Sequence, residues 1–123
     1  MSAVGTVLDG TWVPVCRVTQ LPVDGGAAAL VGGEQVAVFR TFGDEVFALG
    51  NTDPFTGANV ISRGIVGTRG EVPVVASPMH KQAFDLRTGL CLDDAAYRVP
   101  AYAVRVVDDV IEVRAGSGRG AGP

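Results

Sequence analysis

The chain has 123 residues, of which 47% are hydrophobic and 19% charged, with a formal net charge of −3 and 17 glycines. That length suits one domain with a core of its own and leaves no room for a second. Ten scattered basic residues against thirteen acidic ones offer no clustered cationic surface for a nucleic-acid backbone, and no run is long and apolar enough to cross a bilayer as a helix.

The N-terminal segment, residues 1–10 (MSAVGTVLDG), has no basic start, no sustained apolar stretch and no small-residue cleavage site. A secretory leader is therefore not expected, and a cytoplasmic location is. TWVPVCRV (11–18) reads as a strand whose Pro14 places it at an edge or a bulge. A loop through Pro22 and Asp24-Gly25-Gly26 follows. QVAVFRTFGDEVFALGN (35–51) predicts a hairpin turning at Gly43-Asp44. TDPFTGANVISRGIVGTRGE (52–71) is too rich in Gly, Asn and Pro for an uninterrupted element, with room for one short turn, and its length suggests a functional connection. VPVVASP (72–78) and KQAFDL (81–86) predict a second hairpin across Pro78 to His80, and RTGLCLDD turns again at Gly89. YAVRVVDDVIEVR (102–114) closes the domain as a hairpin around Asp108 and Asp109. The Gly-rich tail, 116–123, has nothing to bury and is expected to be flexible.

No segment carries apolar residues at helical spacing over a useful length. The expected fold is mainly β: a single domain over 11–115, built as a small antiparallel sandwich or barrel, since short strands bury an apolar face only against another sheet or by closure. Such a fold allows the loops 50–60 and 77–81 to lie side by side at one end. Cys16 and Cys91 belong to no C-x-C, C-x-x-C or C-x-H grouping and are expected as free, buried thiols. Gly64, Gly67 and Gly70 in RGIVGTRGE fit neither phosphate-loop spacing and are expected to form turns. Arg63 and Arg69 in the same stretch are expected to be solvated, with contact to an acidic partner as the alternative.

The order of elements, with DPFTGANVISRGIVG (53–67) and VVASPMHKQAFDLRTGLCLDD (74–94), resembles the Rieske-like domain and, within it, the small subunit of assimilatory NAD(P)H-dependent nitrite reductase. The resemblance runs from about Val13 to Arg114. A Rieske centre takes two Cys on one iron and two His on the other. Here the C-x-H positions read Asn51 and Asp53, and the C-x-x-H positions read Ser77 and His80. These are degenerate ligands, and no metal or cofactor is expected in this chain. A mononuclear iron site wants a second His that the sequence lacks. A Ser77–His80 nucleophile and base lacks an orienting acid and an oxyanion hole. Ser77 and His80 are instead expected to shape their loop through ordinary hydrogen bonds.

The resemblance implies an accessory subunit without a catalytic site of its own. It would act by protein contacts on a large catalytic subunit that carries FAD, siroheme and an iron–sulfur cluster and reduces nitrite to ammonium. A Rieske-type [2Fe–2S] electron carrier is the alternative, against which the absent cysteines argue; a free-standing β binding module is another. Phe55, Met79, His80 and Lys81, with Arg63, are the expected partner surface, because aromatic residues and Met are enriched in interface cores. Phe55 and Met79 packed inward beneath the loops is the competing expectation.

Overall fold

The computed structural model describes residues 7–118. Ten strands follow one another: β1 (Trp12–Arg17), β2 (Gly25–Val31), β3 (Glu34–Arg40), β4 (Val46–Gly50), β5 (Ile65–Arg69), β6 (Val72–Ala76), β7 (Ala83–Asp85), β8 (Ala101–Tyr102), β9 (Val104–Val107) and β10 (Val110–Arg114). Single 3-10 turns occupy Val18–Gln20 and Ile61–Arg63. The strands form three antiparallel sheets in the orders β1-β10-β9, β2-β3-β4-β8 and β5-β6-β7.

The middle sheet carries the architecture. Strand side chains alternate between faces, and in β3 both faces are apolar: Val36, Ala37, Val38 and Phe39 are all buried. Ala37 and Phe39, with Leu49 of β4, join a cluster with Val75, Phe84 and Leu86 from the β5-β6-β7 side. Val36 and Val38, with Ala48, join a second cluster with Ile111 and Val113 of β10. The unbroken apolar run VAVF is what a strand covered on both sides requires.

Tight turns set the registers. Asp108 and Asp109 both take positive φ (52° and 68°) in the two-residue loop between β9 and β10, the pattern of a type I′ hairpin turn. Asp44 takes φ 62° in the β3–β4 turn, closed by Asp44 N donating to Thr41 O at 2.9 Å. β1 pairs only with β10, and its register shifts between Pro14 and Cys16, so the edge position and the bulge expected of Pro14 are both present.

Two strands escape the sequence reading. Residues 25–31, expected to start as a loop, are β2, paired with β3 over its whole length; its Ala and Gly content lacks the branched residues that mark strands. Gly26 belongs there because the Phe39 ring lies against it: a Cβ at 26 would sit 2.6 Å from a ring carbon. Residues 65–69, read as part of a broken connection, are β5, paired with β6 across a turn in which Gly70 has φ 65°. Of the three glycines expected to form turns there, Gly70 does so, and Gly64 closes the 3-10 turn by donating its N–H to Ile61 O at 2.9 Å. Gly67 is in the strand. Gly64 is required by proximity, since a Cβ there would meet Ala76 O at 2.5 Å.

At the chain ends, the described start of the tail is held: the Ser117 hydroxyl donates to Arg114 O at 2.7 Å and accepts from Ala103 N at 2.8 Å. Residues 1–6 and 119–123, with the flexibility expected of the tail, lie outside the described residues. Both cysteines are free thiols; Cys91 is buried, and Cys16 is partly so, with burial pushing its thiol pKa up.

Asp85, at the end of β7, organises the turn that follows. Its Oδ1 accepts the Arg87 amide at 2.8 Å, and its carbonyl accepts Gly89 N at 2.7 Å. Burial by itself would raise this carboxyl, but hydrogen bonds from the Arg87 side chain and amide, its charge, and the Thr88 hydroxyl outweigh that and hold the pKa below the usual range. Asp93 is likewise held low by hydrogen bonds from Arg69 and from the Ala83 amide.

Double-mutant analysis in urea tests the packing of β2 on β3. Gly26→Ala is expected to destabilise by about 1–3 kcal/mol through overpacking, and Phe39→Ala by about 3–5 kcal/mol. The double variant should be more stable than the sum of the two predicts, because removing the ring removes the clash; additivity within about 0.5 kcal/mol would show that the ring is not the limiting contact. A pH titration of stability tests the carboxylates. Their folded pKa values lie below the unfolded ones, so their contribution is present above the ordinary Asp value of about 3.9 and is lost as pH falls through the folded values. Asp85→Asn should flatten the acid limb of the midpoint-versus-pH curve; an unchanged limb counts against this assignment.

Candidate functional site

Two loops meet at one end of the molecule: residues 51–60, after β4, and residues 77–82, between β6 and β7. They carry the four residues at degenerate ligand positions, and the structure brings three of them into buried hydrogen-bonded roles. Asn51 is buried; its Oδ1 accepts Ser62 N at 2.7 Å, and its backbone carbonyl accepts Ile61 N at 3.1 Å. It pins the first loop to the 3-10 turn that precedes β5.

Asp53 is fully buried. One carboxyl oxygen accepts Phe55 N at 2.7 Å, an Asx turn that shapes the loop. The other accepts the Ser77 hydroxyl at 2.5 Å, across 24 residues of chain. The Ser77 oxygen also accepts Met79 N at 3.2 Å, and its backbone closes the second loop on both sides: Ser77 N donates to Gln82 O, and Lys81 N donates to Ser77 O, each at 2.9 Å. Lys81 is held at φ 64° in that turn, a conformation that costs a non-Gly residue about 1 kcal/mol or more. His80 is exposed, and its ring makes no hydrogen bond among the described residues. Loop-shaping hydrogen bonds are thus found at Ser77 and not at His80, because the Lys81 turn leaves the His80 side chain in solvent.

These residues do not fit a [2Fe–2S] cluster. That group takes thiolate from Cys and imidazole from His on opposite irons, whereas Asp53 and Ser77 offer hard oxygen donors already bonded to each other. The two thiols lie in separate core clusters, Cys91 with Phe84 and Cys16 against Ile111. Among the described residues no three His, Cys, Asp or Glu side chains gather as a metal-binding group.

The expected partner surface divides. Phe55 turns inward: it packs on the core cluster, its ring centroid 4.1 Å from that of Tyr97 and 6.4 Å from that of Phe84. Met79 stays outward, 47% exposed; His80 and Lys81, next to it in sequence, and Arg63, after the first loop, are exposed as well. Arg69 is not free for a partner. Its guanidinium pairs with Asp93 at 2.8 Å, and Asp93 also accepts Ala83 N at 2.8 Å. Tyr97, the aromatic lid on Phe55, went unread because DDAAYR has no periodicity that marks a buried contact.

Comparison with known proteins agrees with this geometry. The family model of the Rieske-like [2Fe–2S] domain matches residues 11–114. The small subunit of Salmonella typhimurium nitrite reductase (NADH) is 43% identical over 104 residues, covering 84% of this chain and 96% of that one. A crystal structure of a Mycobacterium tuberculosis protein, assigned as an NADH-dependent nitrite reductase small subunit, superposes with a TM-score of 0.82 at 45% identity and covers 87% of this chain and 96% of that one. The large subunit of Klebsiella oxytoca nitrite reductase [NAD(P)H] is 42% identical over 95 residues, 77% of this chain but 10% of its own length. With its two loops closed by hydrogen bonds at the positions where Rieske centres hold metal, the chain belongs to the nitrite reductase small-subunit family of Rieske-like domains.

Proposed function

We propose that this chain is a cluster-free accessory subunit of a cytosolic NAD(P)H-dependent nitrite reductase, acting through protein contacts on a large subunit that holds FAD, siroheme and an iron–sulfur cluster and reduces nitrite to ammonium. The observation that carries this reading is the buried hydrogen bond from Ser77 to Asp53, made between two positions that a Rieske electron carrier reserves for ligands. A chain shaped this way moves no electrons itself. Its loops serve as a preformed surface, with Phe55 and Tyr97 as a rigid aromatic floor and Met79, His80 and Lys81 exposed above it. Preorganisation of this kind lowers the ordering cost of association, and Arg63 lies on the exposed side of the 3-10 turn after the first loop.

Two measurements test the reading. First, the purified chain should be colourless and should contain no stoichiometric iron or acid-labile sulfide, while NAD(P)H-dependent nitrite reduction by the large subunit should depend on adding it; a visible absorption band with iron bound to this chain would restore the electron-carrier alternative. Second, Ser77→Ala should lower stability by about 1–3 kcal/mol, the cost of leaving buried partners unsatisfied, and a strong chelator should leave the wild-type thermal midpoint where it was. A chelator-induced drop in the midpoint would show that metal, not the Ser77–Asp53 bond, closes the loops.

A further inference from the structure

Away from the loop end, the β5-β6-β7 sheet has an open edge. Among the described residues β5 pairs with β6 on one side and with no strand on the other. Pro73 of β6 directs its carbonyl to Leu86 N at 2.9 Å, toward β7. Alternation along β6 then turns Val72, Val74 and Ala76 toward β5, opposite Arg69, Gly67 and Ile65. The N–H and C=O groups of Val66 and Thr68 consequently point off the open edge. An edge of this kind is a template for another strand.

Beside it lies a cleft of about 350 Å³, bounded by the β3–β4 turn and by the β5–β6 hairpin and lined by Thr41, Phe42, Val66, Gly67, Thr68 and Pro73. Phe42 stands 84% exposed on its lip. Thr68, the cross-strand partner of Pro73, is exposed on the same face of the hairpin as Pro73, so these two side chains share the cleft wall. Asp24, Glu45 and Glu71 complete the lining. All three are exposed; Glu45 already acts on the Arg87 guanidinium, while Asp24 and Glu71 have no ion pair or side-chain hydrogen bond among the described residues.

We propose that this edge and cleft take an extended cationic segment of the nitrite reductase large subunit, which adds to β5 as a fourth strand. The inference rests on the accessory-subunit reading. Main-chain bonds to Val66 and Thr68 set the register of the segment, an apolar side chain packs on Phe42 beside Thr68, and Lys or Arg side chains meet Asp24 and Glu71. Charge fixes the chemistry of the occupant: a segment without cations would leave that acidic lining desolvated and unpaired. The Klebsiella oxytoca large subunit, which contains a region 42% identical to this domain, points to the same occupant, because there the domain shares one chain with the rest of that subunit.

The test is calorimetric titration of the purified full chain with the purified large subunit. Thr68→Trp fills the cleft, Phe42→Ser removes an exposed ring, and Thr68→Pro deletes an outward N–H while sparing the β6 side. Each is expected to weaken binding on the order of tenfold or more, with the thermal midpoint of Phe42→Ser and Thr68→Trp close to wild type. Asp24→Lys with Glu71→Lys should weaken binding and reduce its salt dependence. Should Thr68→Pro fail to fold, the two outward-facing variants decide the matter. Wild-type affinity in both Thr68→Trp and Phe42→Ser overturns the proposal while leaving the accessory-subunit reading intact, as does self-association of the chain that Thr68→Pro abolishes without touching large-subunit affinity. If the wild-type chain does not bind the large subunit at all, the accessory-subunit reading fails first and takes this one with it.

Discussion

Everything in the fold leans on β3 being covered on both faces. Val36 and Val38 serve one hydrophobic cluster, and Ala37 and Phe39 serve the other, so the two clusters share a single backbone. Neither can be exposed without stripping one side of the same strand. Two small cores, each of modest size for a domain of this length, are thereby joined into one cooperative unit. The need for close approach follows from the same arrangement, since the large Phe39 ring leaves no room for a side chain at Gly26 in the neighbouring β2.

The loop end solves a different problem. In a Rieske centre four metal–ligand bonds hold two loops together; here one hydroxyl–carboxyl hydrogen bond joins them, and Asn51, the Asp53 Asx turn and the Ser77 oxygen satisfy the neighbouring amides. The Phe55 ring adds apolar weight from beneath by stacking on Tyr97, and aromatic pairs of this type contribute about 0.5–1.5 kcal/mol beyond their buried area. The strain at Lys81 is tolerable because Ser77 is fixed at both ends of that turn.

Sequence reading succeeded where local chemistry determines structure. The Gly43-Asp44 and Asp108-Asp109 turns declare their hairpins, because Asp and Gly accept the positive φ that such turns demand. Pro14 declares an edge because it cannot donate to a ladder. The spacing of Asn51, Asp53, Ser77 and His80 brought out residues of which three take buried hydrogen-bonded places in the two loops. What stayed hidden depends on distant partners. β2 is a strand because β3 offers it an edge, not because Ala and Gly favour extension. Phe55 turns inward because Tyr97 and Phe84 wait there, and Arg69 is occupied because Asp93 folds back over it. The hydrogen bond from Ser77 to Asp53 spans 24 residues, and no local pattern announces it.

The chemical nature of that bond sets what the protein is indifferent to. An iron–sulfur joint makes loop geometry depend on iron supply, on cluster assembly, on oxidation state and on exposure to oxygen, which attacks thiolate ligands and the inorganic core alike. A hydroxyl held against a carboxyl has no accessible redox chemistry and requires no maturation step. The folded chain alone sets the shape of this end, independently of oxygen and of iron supply.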